Sequence, residues 1–337
     1  MNNLVLFTLK DRDTLLKARK GESKFGEHIQ LLPNLTNIYD AIVNLDVDYV
    51  IFGIAEDIGV YANYGKTGTY KAWEATIKIL LNTQSNNATK ASRILILGHL
   101  DYTKERAIVN LKPNKKNINK ARTIVDAIDK NVTHLVSSII KTGKTPIIIG
   151  GGHNNAYGNI KGAALAHSTK MNVINFDAHT DFRAEEGRHS GNGFSYAFAQ
   201  GFLKNYFIFG LHENYTSNKL FKTLKRLKQM KYNTYDAIEV RNELSFETEL
   251  EEALDHICDK YFGIEIDCDA IENIPSSAMS PSGFSVKQAR QFVHYMAKHE
   301  NASYLHICEA APTKKTATKV GKLITYLITD FIKAHGN

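Results

Sequence analysis

Seven short runs of almost entirely apolar residues are the feature that most constrains how this chain can fold. Most of their side chains are β-branched or aromatic, and they occupy residues 48–54, 93–98, 146–150, 172–176, 206–211, 261–267 and 302–308. A strand that is apolar throughout must be covered on both faces, as in a parallel sheet packed between helices. The runs therefore predict the strands of a buried, mainly parallel sheet.

Amphipathic helical patterns separate these runs. Apolar residues recur at spacings of three and four between 124 and 139 and again between 320 and 331, which places them on one face of a helix. Alternating strands and helices indicate a doubly wound α/β sheet. No linker, repeat or low-complexity tract interrupts the pattern, so we predict a single domain over residues 1–337, although the length alone would allow two. The polar segments 82–90 and 112–120 are predicted to be surface loops.

Composition and charge exclude several classes of protein. The 337 residues are 43% hydrophobic and 23% charged, which is typical of a globular chain. The net charge is +7, but acidic and basic residues are interspersed and no basic stripe predicts a nucleic-acid partner. No uncharged apolar run approaches about 18 residues, so no membrane partner is expected. Three cysteines without a CxxC motif, and an N-terminus unlike a signal peptide, favour a cytoplasmic location.

Ionisable residues follow four of the apolar runs, where each predicted strand ends. They are His153 in GGGH, then Asp177, His179 and Asp181 in DAHTD, then Asp267 and Asp269 in DCD, and finally Glu309. Ligands of doubly wound sheets bind beyond the carboxyl ends of the strands, so we expect these side chains to share one edge of the sheet.

Taken singly, each of these motifs is more simply explained as a turn or a helix cap. Together they are not, because several carboxylates crowd together only where cations neutralise them. Asp-x-His-x-Asp on one segment and Asp-x-Asp on another can bridge two divalent ions. Mixed carboxylate and imidazole ligands suit Mn²⁺, and less often Zn²⁺, Fe²⁺ or Co²⁺. Cys268 alternates away from Asp267 and Asp269, so we expect its thiol to pack in the core.

The motifs GGGH, NFDAHTD and IDCD, in this order, resemble those of the ureohydrolase family, which comprises arginases, agmatinases and formimidoylglutamases. The resemblance implies a three-layer α-β-α fold of the arginase/deacetylase type, with a mainly parallel sheet of about eight strands. It also implies two Mn²⁺ ions per chain. One ion would be held by His153, Asp177, Asp181 and Asp267, and the other by Asp177, His179, Asp267 and Asp269. The deacetylase branch of this fold uses a single Zn²⁺ and needs neither a histidine at position 153 nor the paired D-x-D, so the motifs favour the ureohydrolase branch.

The resemblance further implies hydrolysis of a C–N bond in a linear amidine or guanidine. Two metal ions lower the pKa of a shared water, so that hydroxide is available to attack the trigonal carbon. Asp181 is expected to carry the proton to the leaving amine. Glu309 is expected to accept hydrogen bonds from the cationic amidine.

Two departures from arginases bear on the substrate. Arginases have an asparagine where this chain has Arg183, and their S-G-N-x-H segment is SGNGF here, with Phe194 in place of the histidine. Both departures resemble formimidoylglutamases, which convert N-formimino-L-glutamate to L-glutamate and formamide in histidine degradation. Arg183 would clamp a substrate carboxylate, with Asn192 and Phe194 as further substrate contacts. The alternative for Arg183 is an ion pair with Glu185 or Glu186 on a solvated loop.

Other functions stay open at this level. An arginase or another guanidino-acid hydrolase is the alternative enzyme, and a silent family member acting as a binding subunit is the alternative without catalysis. No ligand of the family pattern is missing, which argues against the silent member. We expect a small anionic amidine as partner and a homo-oligomer as assembly, because the family commonly forms trimers or hexamers. Residues 56–73 are predicted to form a loop in which Asn63, Tyr64 and Lys66 could touch substrate, and His189 is either a proton carrier or a surface residue.

Overall fold

One nine-stranded sheet forms the centre of the molecule, whose computed structural model describes residues 3–32 and 37–336. The strand order is β1-β3-β2-β4-β9-β8-β5-β6-β7. The strands are β1 (Leu4–Leu6), β2 (Tyr49–Ala55), β3 (Ile94–Asp101), β4 (Thr145–Ile149), β5 (Met171–Phe176), β6 (Leu203–Leu211), β7 (Met230–Thr234), β8 (Phe262–Asp267) and β9 (Ala302–Cys308). Only the β1–β3 pair is antiparallel among these strands. The predicted, mainly parallel α/β sheet is therefore confirmed.

Helices cover both faces of the sheet, as the alternating pattern predicts. The α-helices of the described ranges are α1 (Leu9–Leu15), α2 (Ile38–Val43), α3 (Ile58–Ala62), α4 (Ala72–Leu80), α5 (Lys115–Lys141), α6 (Asn155–His167), α7 (Gly193–Ala199), α8 (Asn218–Arg226), α9 (Phe246–Ile257), α10 (Val286–Ala297) and α11 (Ala317–Ala334). Helices α4, α9, α10 and α11 contribute to one apolar core, and α2, α3, α5, α6, α7 and α8 contribute to the other. No helix in the described ranges has both the length and the apolar character needed to cross a membrane.

Four segments differ from the sequence prediction. The edge strands β1 and β7 were not predicted, because β1 has only three residues and β7 (MKYNT) is polar on one face. Residues 112–120 are not a loop throughout, since Asn114 caps the start of α5 by accepting from the backbone N–H of Asn117 at 3.0 Å. Residues 56–73 are not a simple loop either, because they contain α3 and a short 3₁₀ turn.

The four strands that carry the ionisable motifs are neighbours in the middle of the sheet. Their order is β4-β9-β8-β5, and the three adjacent pairs are parallel. Parallel strands end at the same edge, so the segments that follow all four strands meet there. This edge is the site that the sequence predicts for ligand binding.

Candidate metal centre and active site

The six predicted metal ligands converge at the carboxyl ends of β4, β5 and β8. Their ligand atoms form two groups, each with all atoms within 4.8 Å of one another. The first group is His153, Asp177, Asp181 and Asp267, and the second is Asp177, His179 and Asp269. The first group matches the set expected for one ion. The second contains three of the four residues expected for the other ion, without Asp267.

His153 lies at the buried end of the first group. Its Nδ1 atom is 2.9 Å from Asp181 Oδ2, 3.1 Å from Asp267 Oδ2 and 3.3 Å from Asp177 Oδ2. The imidazole ring is fully buried. Nδ1 is therefore the nitrogen that faces the carboxylates and is placed to bind a metal ion.

The second group lies nearer the solvent. His179 Nδ1 is 3.2 Å from Asp269 Oδ2 and 3.5 Å from Asp177 Oδ1. The His179 ring stacks on Tyr215 with 5.3 Å between the ring centroids. Asp269 Oδ1 is buried and has no hydrogen-bond partner among the described residues. A buried carboxylate oxygen without a partner is costly, which leaves this atom suited to a cation.

The electrostatics of the carboxylates point the same way. Burial, followed by the charges of Asp269 and Asp177, raises the pKa of Asp267 well above its usual range. Burial and the charge of Asp177 also raise the pKa of Asp181. Burial alone would lower the pKa of His179, but the carboxylates of Asp269 and Asp177 raise it overall. These carboxylates destabilise one another when charged, and divalent cations would relieve that repulsion. The set of carboxylate oxygens and imidazole nitrogens fits Mn²⁺.

The loop that presents His153 depends on its glycines. Gly150 and Gly151 have φ angles of 84° and 75°, a region that L side chains rarely adopt. A Cβ atom on Gly151 would lie 2.3 Å from Asn155 Nδ2. The backbone N–H of Gly152 donates to buried Glu56 Oε1 at 2.8 Å. Sequence reasoning did not identify Glu56, which fixes the shape of this loop.

Glu309 connects this loop to the substrate side of the site. Its Oε1 accepts from the backbone N–H of His153 at 2.7 Å. Burial raises the pKa of Glu309 to about 8. Its φ angle of 58°, like the 41° of Asp181, is uncommon for a residue other than glycine. Such strain costs on the order of 1–3 kcal/mol and is often found at functional sites.

A cavity of about 280 Å³ opens above the two groups. It is lined by His179, Asp181, Asp267, Asp269 and Glu309, and at its mouth by residues that include Asn63, Arg183, Ser190, Tyr215 and Ser277. The volume suits a molecule the size of an amino-acid derivative. Tyr215 and Ser277 were not identified from the sequence. Tyr215 follows the predicted strand 206–211, so its proximity to a strand end was the available signal.

Arg183 lies at the cavity mouth with half of its side chain exposed. Its Nη1 atom donates to Asn63 Oδ1 at 2.6 Å, and Nη2 is 3.2 Å from Glu186 Oε1. The guanidinium therefore lines the cavity, and it also forms the ion pair with Glu186 that the sequence left as the alternative. Of the two glutamates considered there, Glu186 is the partner.

Asn192 and Phe194 were expected to touch the substrate, but neither lines the cavity as described. Both are fully buried. Asn192 Oδ1 accepts from Arg188 Nη1 at 2.5 Å and from the backbone N–H of His189 at 3.0 Å. Phe194 stacks on Tyr206 at 4.4 Å and meets the His153 ring edge-on at 5.1 Å. The expectation of direct contact is corrected, because both side chains turn into the core and support the loop and the His153 ring from behind.

His189 is buried and is not the surface residue that was considered. Its Nδ1 atom accepts from the backbone N–H of Gly191 at 3.1 Å. Burial, together with the charges of Arg183, Arg122 and Arg188, lowers the pKa of His189 to about 3. Cys268 is also buried, within the apolar core, as its position in the strand pattern predicts.

Comparison with known proteins agrees with the motifs. The sequence model of the arginase family matches residues 47–332. Formimidoylglutamase of Streptococcus gordonii is 25% identical over 335 residues, which cover 93% of each chain. The structure of formimidoylglutamase from Bacillus subtilis is similar with a TM-score of 0.74 and 17% identity, over 95% of each chain. The structure of Trypanosoma cruzi formiminoglutamase with Mn²⁺ has a TM-score of 0.69 and 19% identity, over 87% of this chain and 98% of that one. The chain therefore belongs to the arginase family.

Proposed function

We propose that this protein is a manganese-dependent formimidoylglutamase, which hydrolyses N-formimino-L-glutamate to L-glutamate and formamide. The observation that carries the proposal is the position of Arg183, a guanidinium at the mouth of a cavity whose floor is the double carboxylate–histidine cluster. A substrate with an amidine at one end and carboxylates at the other matches that arrangement. The formimidoylglutamases among its relatives support the same choice.

The six residues of the two clusters would hold two Mn²⁺ ions, and their mixed carboxylate and imidazole donors fit that metal. When bound, the ions supply the positive charge that makes hydroxide available from water near neutral pH. The remaining steps belong to side chains of the chain itself. The raised pKa of Asp181 and its place in the cavity wall suit it to take up a proton and pass it to the leaving nitrogen.

Glu309 and Arg183 orient the two ends of the substrate. The Glu309 carboxylate, ionised beside a cationic amidine, accepts its N–H groups and holds the trigonal carbon over the metal ligands. Arg183 binds a carboxylate at the cavity mouth, and Asn63 holds the guanidinium in place through its 2.6 Å hydrogen bond. N-formimino-L-glutamate carries two carboxylates, whereas arginine carries one beside an ammonium group and agmatine carries none. Because Arg183 favours carboxylates and repels cations, both are expected to be poorer substrates.

The test is an activity panel with purified protein in saturating Mn²⁺. N-formimino-L-glutamate, arginine, agmatine and simple guanidino acids are supplied separately, and glutamate, ornithine, putrescine and urea are measured. We expect glutamate and formamide from the first substrate, and loss of this activity after treatment with a chelator. Faster turnover of arginine would assign the protein to the arginases. A protein that binds two Mn²⁺ ions yet turns over none of the substrates would be the silent member.

Three further parts of the proposal concern the setting of the enzyme. We propose that residues 1–337 act as a single domain, that the chain assembles as a homo-oligomer and that it works in the cytoplasm. The single domain is based on the continuous pattern of strands and helices, and the homo-oligomer on the trimers and hexamers that the family commonly forms. The cytoplasmic location is based on the three free cysteines. Sedimentation of the purified protein would test the assembly.

A further inference from the structure

A row of polar side chains lies behind the metal cluster, on one face of the central strands β8 and β9. Successive side chains of a strand alternate between faces, so Glu265 and Asp267 of β8 point to the same side. The strand register pairs Glu265 with His306, one strand away. Glu265 and His306 are fully buried and are not among the predicted site residues. Charged and polar groups in such a place require partners.

Glu265 has partners at both carboxylate oxygens. Its Oε2 atom is 2.5 Å from His306 Nδ1, and its Oε1 accepts from the Tyr304 hydroxyl at 2.9 Å. The fold makes room for this arrangement at Gly263, where a Cβ atom would lie 2.1 Å from Tyr304 Cζ. The absence of a side chain at Gly263 therefore leaves β8 and β9 the space that this hydrogen-bond network needs.

The same carboxylate faces the metal ligand His153. Glu265 Oε2 is 3.6 Å from His153 Nε2, which is buried and has no hydrogen-bond partner among the described residues. The other ring nitrogen, Nδ1, faces the carboxylates of the first cluster. A neutral imidazole carries one proton, and a carboxylate beside Nε2 favours the form in which Nδ1 is left to bind a metal ion.

A second connection links Glu265 to the loop before His153. His306 Nε2 is 3.2 Å from the carbonyl oxygen of Gly150, the first residue of the GGGH segment. The His306 ring thus bridges Glu265 and the backbone that carries His153. Glu265 therefore contacts the His153 ring directly and the loop before His153 through His306.

We propose that Glu265 is a positioning residue of the metal centre, which fixes the orientation and the proton of the His153 ring. This inference depends on the manganese site proposed above. Of the two ions, Glu265 would affect the binding of the one that His153 holds. The residues of the second cluster make no contact of this kind with Glu265 in the described structure.

The test is Mn²⁺ binding by Glu265→Gln, with Asp330→Asn as the matched control. Asp330 is also a largely buried carboxylate in an ion pair, with Arg290 at 2.6 Å, but it lies on α11 and outside the cavity. Equilibrium dialysis with metal analysis gives the number of ions and their affinities, and electron paramagnetic resonance reports coupled Mn²⁺ pairs. Thermal unfolding of the metal-free proteins measures structural damage separately.

We expect one of the two Mn²⁺ ions to bind about 10- to 100-fold more weakly to the Glu265→Gln protein. The coupled Mn²⁺ signal should fall accordingly, whereas Asp330→Asn should bind both ions like the wild type. The inference would be overturned if the Glu265→Gln protein were less stable but bound both Mn²⁺ ions with the affinities of the wild type. A wild type that binds fewer than two ions would instead contradict the manganese site itself.

Tyr304→Phe provides a second variant in case the glutamine substitution prevents folding. It removes one hydrogen bond to Glu265 and leaves the ring above Gly263 in place. We expect this variant to bind one Mn²⁺ ion about 3- to 10-fold more weakly, the loss typical of one buried hydrogen bond. Unchanged affinity for both ions would overturn the inference.

Discussion

Replacement of Arg183 by alanine tests the proposed substrate class most directly. A charge-assisted hydrogen bond to a substrate carboxylate contributes about 1.5–3 kcal/mol. Half of the Arg183 side chain is exposed, and it must share its guanidinium with Glu186. Solvent screening and this competition place the expected loss at the lower end, about 1.5–2 kcal/mol. Since about 1.4 kcal/mol corresponds to a tenfold change, KM for N-formimino-L-glutamate should rise about 10- to 30-fold.

The assay is the initial rate of glutamate release at saturating Mn²⁺, with the metal content of each protein measured in parallel. We expect kcat and metal content to change little, because Arg183 is not a metal ligand and binds a part of the substrate that does not react. Arg122→Ala is the matched control. Arg122 also contacts Glu186, through Nη2 to Oε1 at 3.3 Å, but it does not line the cavity.

Two results would refute the reasoning. An unchanged KM in Arg183→Ala would show that the guanidinium does not bind the substrate. An equal rise of KM in Arg183→Ala and Arg122→Ala would show that both act through the order of the loop at Glu186. In either case the assignment of the metal ligands would stand, because it depends on other residues.

Three other predictions follow from buried groups. Asp269→Asn should lower kcat by roughly three orders of magnitude or more and reduce Mn²⁺ content, whereas Cys268→Ser should retain both ions; metal analysis that gave the reverse result would contradict the ligand assignment. The pKa of His189 is lowered from about 6.5 in the unfolded chain to about 3, so the free energy of unfolding should fall as the pH drops below 6.5, by up to about 1.4 kcal/mol per pH unit. In urea unfolding, the free energy of unfolding of His189→Gln should depend less steeply on pH than that of the wild type. An equal pH dependence in the two proteins would contradict this prediction. Gly263→Ala should lower the free energy of unfolding by about 1–3 kcal/mol through its clash with Tyr304, and a neutral effect in the same assay would contradict the packing described.

The apolar pattern of the chain was sufficient to predict the central sheet, and the motifs after its strands predicted which residues would cluster at one edge. All seven apolar runs correspond to strands, because a strand buried on both faces must be apolar throughout. The clustering of the proposed ligands was predictable because each lies at or just after the end of such a strand, and parallel strands bring their carboxyl ends to one edge whatever the loops do. Edge strands β1 and β7 escaped prediction since they are short or half polar and lack that signal.

Tertiary packing determines which side chains line the cavity and which support it, and the sequence did not reveal this difference. Asn192 and Phe194 lie two residues apart near Arg183 in sequence, yet they turn into the core while Arg183 lines the mouth. Arg183 is held by Asn63, 120 positions away, and Glu265 contacts His306 across the β8–β9 pair. Such contacts depend on how separate segments pack, and a periodic pattern within one segment carries no information about them. The direction of a loop side chain is therefore set by its distant neighbours, whereas the edge at which a parallel strand ends is set by the strand itself.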